Sequence, residues 1–193
     1  MKYAVYIITF VLLSGCSSSI KTYTEQEQKV YENLQNLVAS KNFEIVAHTA
    51  MPMMGNALAQ VLNSNLLPPG NTSSRISIIG TANSLRIKGD TIKGYLPFYG
   101  EQFSGGNPAR NNHGISFNDV PEDYKVTMSD AKHLVDISFK IKDEYRGNER
   151  YDINITLFPS NTSFMSVQSS TRSSIQFSGN LKTLNTEDRE AKE

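Results

Sequence analysis

The strongest constraint on the fold is a series of short segments, from Arg75 to Phe177, in which polar and apolar residues alternate. Turn residues interrupt the series about every ten positions. Successive side chains of a strand point to opposite faces, so this pattern predicts strands with one buried face. In the segment 134–142, the predicted inward residues are Val135, Ile137, Phe139 and Ile141. No helical pattern separates the segments, which favours an antiparallel sheet over a parallel one.

One amphipathic helix is predicted before the strands, over Glu25–Lys41. Its apolar residues fall at helical spacing on one face, namely Val30, Leu34, Leu37 and Val38. Thr24 is the predicted N-cap, followed by acidic residues in the first turn. Because many short strands curl rather than stay flat, we predict a mainly β fold with one N-terminal helix. Its antiparallel, strongly curved sheet forms a sandwich or an incomplete barrel.

The amino terminus has the order of features typical of a bacterial lipoprotein precursor. Lys2 precedes the apolar run 4–13, which is shorter than the roughly 20 residues that span a bilayer. Leu13-Ser14-Gly15-Cys16 then resembles a lipobox, in which the cysteine thiol accepts a diacylglyceryl group. We therefore predict a signal peptide over 1–15, a lipid on Cys16 and a tether over 16–24.

The residues around Cys16 also predict a location. Ser17 follows the cysteine, where no aspartate stands to indicate retention in the inner membrane. We therefore predict a protein held by lipid in the outer membrane and facing the periplasm. Cys16 is the only cysteine, which excludes an intramolecular disulfide and a thiolate metal cluster. A single domain is predicted over 25–181, followed by a charged, disordered tail over 182–193.

Charge and motif content argue against several functions. Lysine plus arginine and aspartate plus glutamate number 19 each, and losing Lys2 leaves 18 minus 19, or −1. This balance gives no reason to expect a nucleic-acid partner. The three histidines, His48, His113 and His133, lack the spacing of metal ligands. We expect no metal, no cofactor and no enzymatic activity.

Two apolar segments are the candidate contact surfaces for a ligand or partner. The first is the methionine- and leucine-rich stretch 51–70, and the second is the aromatic stretch 95–100. Met-rich surfaces adapt to varied partners, and aromatics around a proline line pocket mouths. The alternative is that both segments pack into the core of the domain. The candidate residues are Met53, Met54, Leu58, Tyr95, Phe98 and Tyr99.

From about residue 34 to residue 181 the chain resembles the domain of unknown function 4251 family, small lipoproteins of Gram-negative bacteria. The resemblance is carried by LVASKNF at 37–43, LRIKGDTI at 85–92, YLPFYG at 95–100, GISF at 114–117, EDYKV at 122–126 and SIQFSG at 174–179. The segment 54–74 departs from the family by its greater length. The resemblance implies a fold and a compartment, and it implies no activity.

Three functional hypotheses follow. The first is a lipid-anchored, non-enzymatic binding or interaction module with a protein or apolar ligand as partner. The second is a structural lipoprotein of envelope assembly that acts through a protein partner. The third is a hydrolase whose site combines Ser104, His113 and Asp119, and it predicts that these three side chains converge.

Overall fold

The computed structural model describes residues 23–53, 70–103 and 114–184. These ranges hold one helix and ten strands, which we number in chain order. The elements are α1 (Glu25–Ala39), β1 (Asn42–Pro52), β2 (Ile76–Ser77), β3 (Ser84–Lys88), β4 (Thr91–Leu96), β5 (Ile115–Asp119), β6 (Glu122–Ser129), β7 (Leu134–Lys142), β8 (Arg150–Leu157), β9 (Thr162–Ser169) and β10 (Ile175–Thr183). The predicted signal peptide, Cys16 and residues 185–193 lie outside the described residues.

The strands form one antiparallel sheet in the order β5-β4-β3-β1-β10-β9-β8-β7-β6, with β2 pairing beside β1. The sheet curls strongly into a half-barrel, which confirms the predicted fold class. Its two edge strands, β5 and β6, are joined by the short connection Val120–Pro121. The β5 edge is tied to the turn after β7, because the Glu144 amide donates to the Ser116 carbonyl at 2.9 Å. No described helix is both long and apolar enough to cross a membrane.

The core fills the concave side of the half-barrel, and every strand in the sheet order except β6 contributes buried apolar side chains to it. β6 contributes Tyr124 and Val126, which are half-buried. The predicted inward residues of β7 are all buried, as are the alternating residues of β8: Tyr151, Ile153, Ile155 and Leu157. Gly94 lets the Phe117 ring lie directly on β4, where any side chain at position 94 would overlap the ring. A glycine inside a strand commonly marks such a close approach.

The predicted N-cap of α1 is confirmed. The Thr24 hydroxyl accepts a hydrogen bond from the Glu27 amide at 3.3 Å, and the Glu27 carboxylate accepts one from the Thr24 amide at 2.8 Å. This reciprocal pair is a capping box. The helix ends at Ala39, and Lys41 takes a left-handed backbone conformation, φ 48°, where the chain turns into β1.

The predicted buried face of α1 is partly wrong. Leu34 and Val38 are buried, but Tyr31 joins them, and Val30 is 37% exposed. Tyr31 buries its ring because its hydroxyl reaches Asp130 at 3.1 Å and so keeps a polar partner. The hydrophobicity pattern therefore selects Val30 for the buried face, where the structure has the next residue, Tyr31.

Because hydrogen-bonded neighbours run in opposite directions, the connections of the sheet other than Val120–Pro121 collect at two ends. The helix end holds α1, the turns 130–133 and 158–161, and the start of β1. The opposite end, which we call the Arg172 rim, holds the connections 143–149 and 170–174, the end of β1 and the start of β5.

The folded part extends past both boundaries expected from the sequence. Before α1, the Tyr23 ring stacks on His133 with 3.4 Å between ring centroids, so Tyr23 and Thr24 belong to the fold instead of the tether. At the other boundary β10 continues past Leu181 to Thr183, where it still pairs with Phe43 of β1. Backbone pairing does not depend on side-chain polarity, which is why the polar residues 182 and 183 continue the strand.

Candidate functional site

A cluster of charged side chains is buried at the Arg172 rim. Arg172 lies in the connection between β9 and β10 and is 3% exposed. Glu149, directly before β8, is 2% exposed, and Asp143, directly after β7, is also buried. Charged groups are rarely buried unless they are paired. The sequence shows the segment 143–149 only as a polar, charged turn, so this cluster was missed.

Glu149 is the centre of the cluster. One oxygen of its carboxylate accepts hydrogen bonds from Arg172 Nη2 at 2.8 Å and from Arg146 Nη1 at 3.1 Å. The other oxygen accepts a hydrogen bond from the Ser169 hydroxyl at 2.6 Å. Two guanidinium groups and one hydroxyl thus compensate the cost of taking this carboxylate out of water.

Asp143 forms the second half of the cluster. One carboxylate oxygen accepts hydrogen bonds from the amides of Tyr145 and Arg146 at 2.8 and 2.7 Å, which fixes the turn. The other accepts a hydrogen bond from the Tyr151 hydroxyl at 2.5 Å. Burial, and then the hydrogen bond to Asp143, raise the pKa of Tyr151 far above its ordinary value. The hydroxyl therefore keeps its proton and remains a donor at every physiological pH.

Arg172 joins the cluster to the strands on the other side of the barrel opening. Its Nη1 donates to the Gly114 carbonyl at 3.1 Å, and its guanidinium lies 4.9 Å from the centre of the Phe98 ring. The neighbouring backbone is also paired: the Phe103 amide donates to Thr171 and the Ser173 amide to Glu101, at 2.8 and 2.9 Å. The connection 170–174 thereby holds the end of β4 and the start of β5 in place.

The candidate contact residues partly converge at this rim. The Met53 amide donates to the Ser174 carbonyl at 3.1 Å, and the Met53 side chain is 59% exposed. Phe98 and Tyr99 are half-buried and pack against the core, as the alternative interpretation of this segment expected. Tyr95 lies on the outer side of β4 and is 47% exposed. Met54 and Leu58 lie outside the described residues.

The two segments therefore meet along the connection 170–174, which lies far from both in the sequence. The rim also presents Phe103, whose side chain is 69% exposed. Sequence reasoning missed Phe103 because it stands in a stretch of loop composition without alternation. The exposed apolar side chains of the rim thus rest on a frame that is fixed by buried ion pairs.

Of the three residues proposed for a hydrolase, Asp119 alone lies within the described ranges. Ser104 and His113 lie outside the described residues, and Asp119 is exposed at the end of β5. His48 lies in β1, and His133 is stacked between Tyr23 and Tyr31. Within the ranges 23–53, 70–103 and 114–184, no group of three or more metal-ligating side chains is found.

A comparison with protein families shows which family the chain belongs to. The model of a domain of unknown function, DUF4251, matches residues 25–181. The chain belongs to the DUF4251 family. Among solved structures, it is similar to the crystal structure of a DUF4251 family protein from Bacteroides eggerthii DSM 20697, determined at 1.95 Å resolution.

That likeness concerns the fold. The two chains are 13% identical, with a TM-score of 0.52 over 82% of this chain and 90% of the other. Among curated proteins, no sequence matches this chain. The DUF4251 family model carries no biochemical role, so a functional proposal has to start from the geometry of the rim.

Proposed function

We propose that this protein is a lipid-anchored, non-enzymatic binding module that meets its partner at the Arg172 rim. The single observation that carries the proposal is the convergence of exposed apolar side chains on a rigid charged frame. Met53 and Phe103 hydrogen-bond through their backbones to residues 174 and 171 of one connection, and both expose most of their side chains. Clusters of exposed apolar residues that are rimmed by polar residues are typical of interaction sites.

The buried cluster supports binding better than catalysis. Glu149 and Asp143 each accept two or more short hydrogen bonds, so their carboxylates act as fixed acceptors within the fold. A general base needs a carboxylate that can reach a substrate proton. The role of the cluster is therefore to hold the rim segments at constant geometry, which lowers the entropy cost of binding a partner there.

The lipid anchor is the part of the proposal that comes from the sequence. A single acyl chain holds a protein only reversibly, whereas a diacylglyceryl group on Cys16 supplies the two chains that stable anchoring needs. Cys16→Ala should abolish labelling by radioactive palmitate and leave an uncleaved or soluble protein. Normal palmitate labelling of this variant would show that the anchor is elsewhere.

The rim is tested by site-specific photocross-linking in intact cells. A photoreactive phenylalanine analogue at position 103 should give one discrete, stoichiometric adduct, and the additional change Met53→Ser should remove it. The same analogue at Val120 is the matched control, because Val120 is 60% exposed and lines a separate groove with Lys41 and Gly89, at the start of β1 and the β3–β4 turn. Equal labelling from both positions would refute a binding site at the rim.

The same experiment separates the two non-enzymatic functions. An adduct with a small apolar ligand identifies a ligand-binding module. A stoichiometric protein adduct without a co-purifying small ligand identifies a structural lipoprotein that works through a protein partner.

A further inference from the structure

We infer that the helix end of the half-barrel rests on the phospholipid bilayer, with Val30 and Phe158 as the side chains that touch the lipid. The inference deepens the proposed function, because it rests on the lipid anchor at Cys16 and gives the anchored domain an orientation. It assigns a lipid contact to a surface far from the Arg172 rim. The partner of this surface is the phospholipid bilayer.

A groove at the helix end provides the contact surface. It has a volume of about 580 Å³ and runs between the first turns of α1 and the turn after β8. Val30 stands on the helix side of the groove and Phe158 and Pro159 on the sheet side. Val30 and Phe158 are each 37% exposed, so both present apolar surface at the groove.

The place where the described chain begins ties this groove to the anchor. Tyr23, the first described residue, itself lines the groove. Seven residue steps separate Cys16 from Tyr23, which span at most about 25 Å when fully extended. The groove therefore stays within one tether length of the lipid headgroups.

The opposite rim lies one strand length further away. β7 has nine residues and runs from the helix end to the Arg172 rim, a distance of about 30 Å along the strand. A tether that enters at the helix end therefore favours contact of this end with the bilayer, and it leaves the rim free for the proposed partner.

The entry point of the tether is fixed by a stack of three rings. His133 lies between Tyr23 and Tyr31, with ring centroids 3.4 and 4.6 Å away and the rings nearly parallel. The Tyr23 hydroxyl also donates to the Ala131 carbonyl at 3.2 Å. This packing holds the chain against the domain at Tyr23, so the distance to Cys16 is counted from there.

The charges of the groove indicate what kind of lipid contact it makes. Glu27 and Lys132 both line it, one of each sign, so the groove offers no net attraction to anionic headgroups. Apolar side chains flanked by charged ones settle at the boundary between headgroups and acyl chains. Two partly exposed side chains bury far less apolar surface than a diacylglyceryl group, so they orient the domain while the lipid on Cys16 retains it.

The chain contains no tryptophan, which permits a direct test of orientation. The full-length, lipidated Phe158→Trp variant is reconstituted into vesicles of phosphatidylethanolamine and phosphatidylglycerol, with and without brominated acyl chains. Bromine quenches tryptophan only at short range. The Phe158→Trp variant should lose the larger part of its emission in brominated vesicles, and Val30→Trp should behave alike. The matched control, Phe103→Trp at the rim, should keep its emission.

The outcomes separate this inference from the proposed anchor. If the protein sediments with the vesicles but the Phe158→Trp and Val30→Trp variants stay unquenched, the anchor stands and the orientation is wrong. Quenching of Phe103→Trp as strong as that of Phe158→Trp also overturns the orientation. If the protein is not lipidated and does not sediment with vesicles, the anchor fails and this inference fails with it. Circular dichroism of each variant shows that its fold is intact.

Discussion

Replacing Arg172 by methionine should destabilise the protein severely while preserving its shape. The change keeps an unbranched apolar stem against Phe98 but removes the guanidinium that bonds Glu149 and the Gly114 carbonyl. Removing one partner of a buried ion pair typically costs 3–5 kcal/mol, because the other charge stays buried. Glu149 keeps its hydrogen bonds to Arg146 and Ser169, so we expect the lower limit, about 3 kcal/mol.

A loss of this size is easily measured. For a domain of this length, about 3 kcal/mol corresponds to a fall in Tm of roughly 6–12 °C. Urea unfolding followed by circular dichroism gives the free energy of unfolding from the midpoint and the slope. Arg150→Met is the matched control, because Arg150 pairs with Glu122 at the surface with half of its side chain exposed. Exposed ion pairs contribute about 0–1 kcal/mol, so the control should change little.

A double-mutant cycle tests whether the loss comes from the ion pair. Glu149→Leu removes the other partner, so the double variant should be less destabilised than the sum of the single variants by about 1–3 kcal/mol. Additive effects of Arg172→Met and Glu149→Leu would refute the coupling across the 2.8 Å contact. An effect of Arg172→Met no larger than that of Arg150→Met would refute the structural role of the cluster.

Two further predictions concern the core beneath the rim. The pKa of Tyr151 in the folded state lies above its ordinary value of 10.0, so the unfolded chain releases this proton first as the pH rises. The contribution of this group to the free energy of unfolding should be fully present below pH 10.0 and then fall by about 1.36 kcal/mol per pH unit. In Tyr151→Phe, the free energy of unfolding measured in urea should fall less steeply with pH above 10.0. Gly94→Ala should cost about 1–3 kcal/mol by overpacking against Phe117, and Phe117→Leu should partly restore it. The control Gly147→Ala meets nothing within 4 Å and should leave the Tm unchanged.

The fold was largely predictable because the deciding signals are local. Alternation over a few residues identifies which side chains of β7 and β8 point inward, and a strand has only two faces to choose between. The N-cap at Thr24 was predictable for the same reason, since its partner Glu27 is three residues away. The buried face of a helix is harder to predict, because the partners of the buried Tyr31, Asp130 and His133, lie about 100 positions away in the sequence.

The buried cluster was not predictable from the sequence. Asp143, Glu149 and Arg172 each look like ordinary surface residues, because each stands in a polar connection between strands. Their burial follows from pairing with each other and with Gly114, 58 residues before Arg172. Charge patterns reveal interactions between paired positions of one helix or one hairpin. Glu149 and Arg172 stand just beyond the paired ends of β8 and β9, and the contact of Arg172 with Gly114 forms only because the curved sheet brings β5 to this rim.

The convergence of the rim segments has its cause in the central position of β1. The hairpins alone predict that β7 and β9 run in the same direction, which brings residues 143 and 170–172 to one end. They say nothing about the direction of β4, because β3 and β4 form a separate hairpin. β1 pairs with β3 on one side and with β10, more than 120 residues later, on the other, and so gives β1, β4, β7 and β9 a common direction. Met53 follows β1, Phe98 follows β4 and Arg172 follows β9, so this one long-range strand pairing assembles the rim.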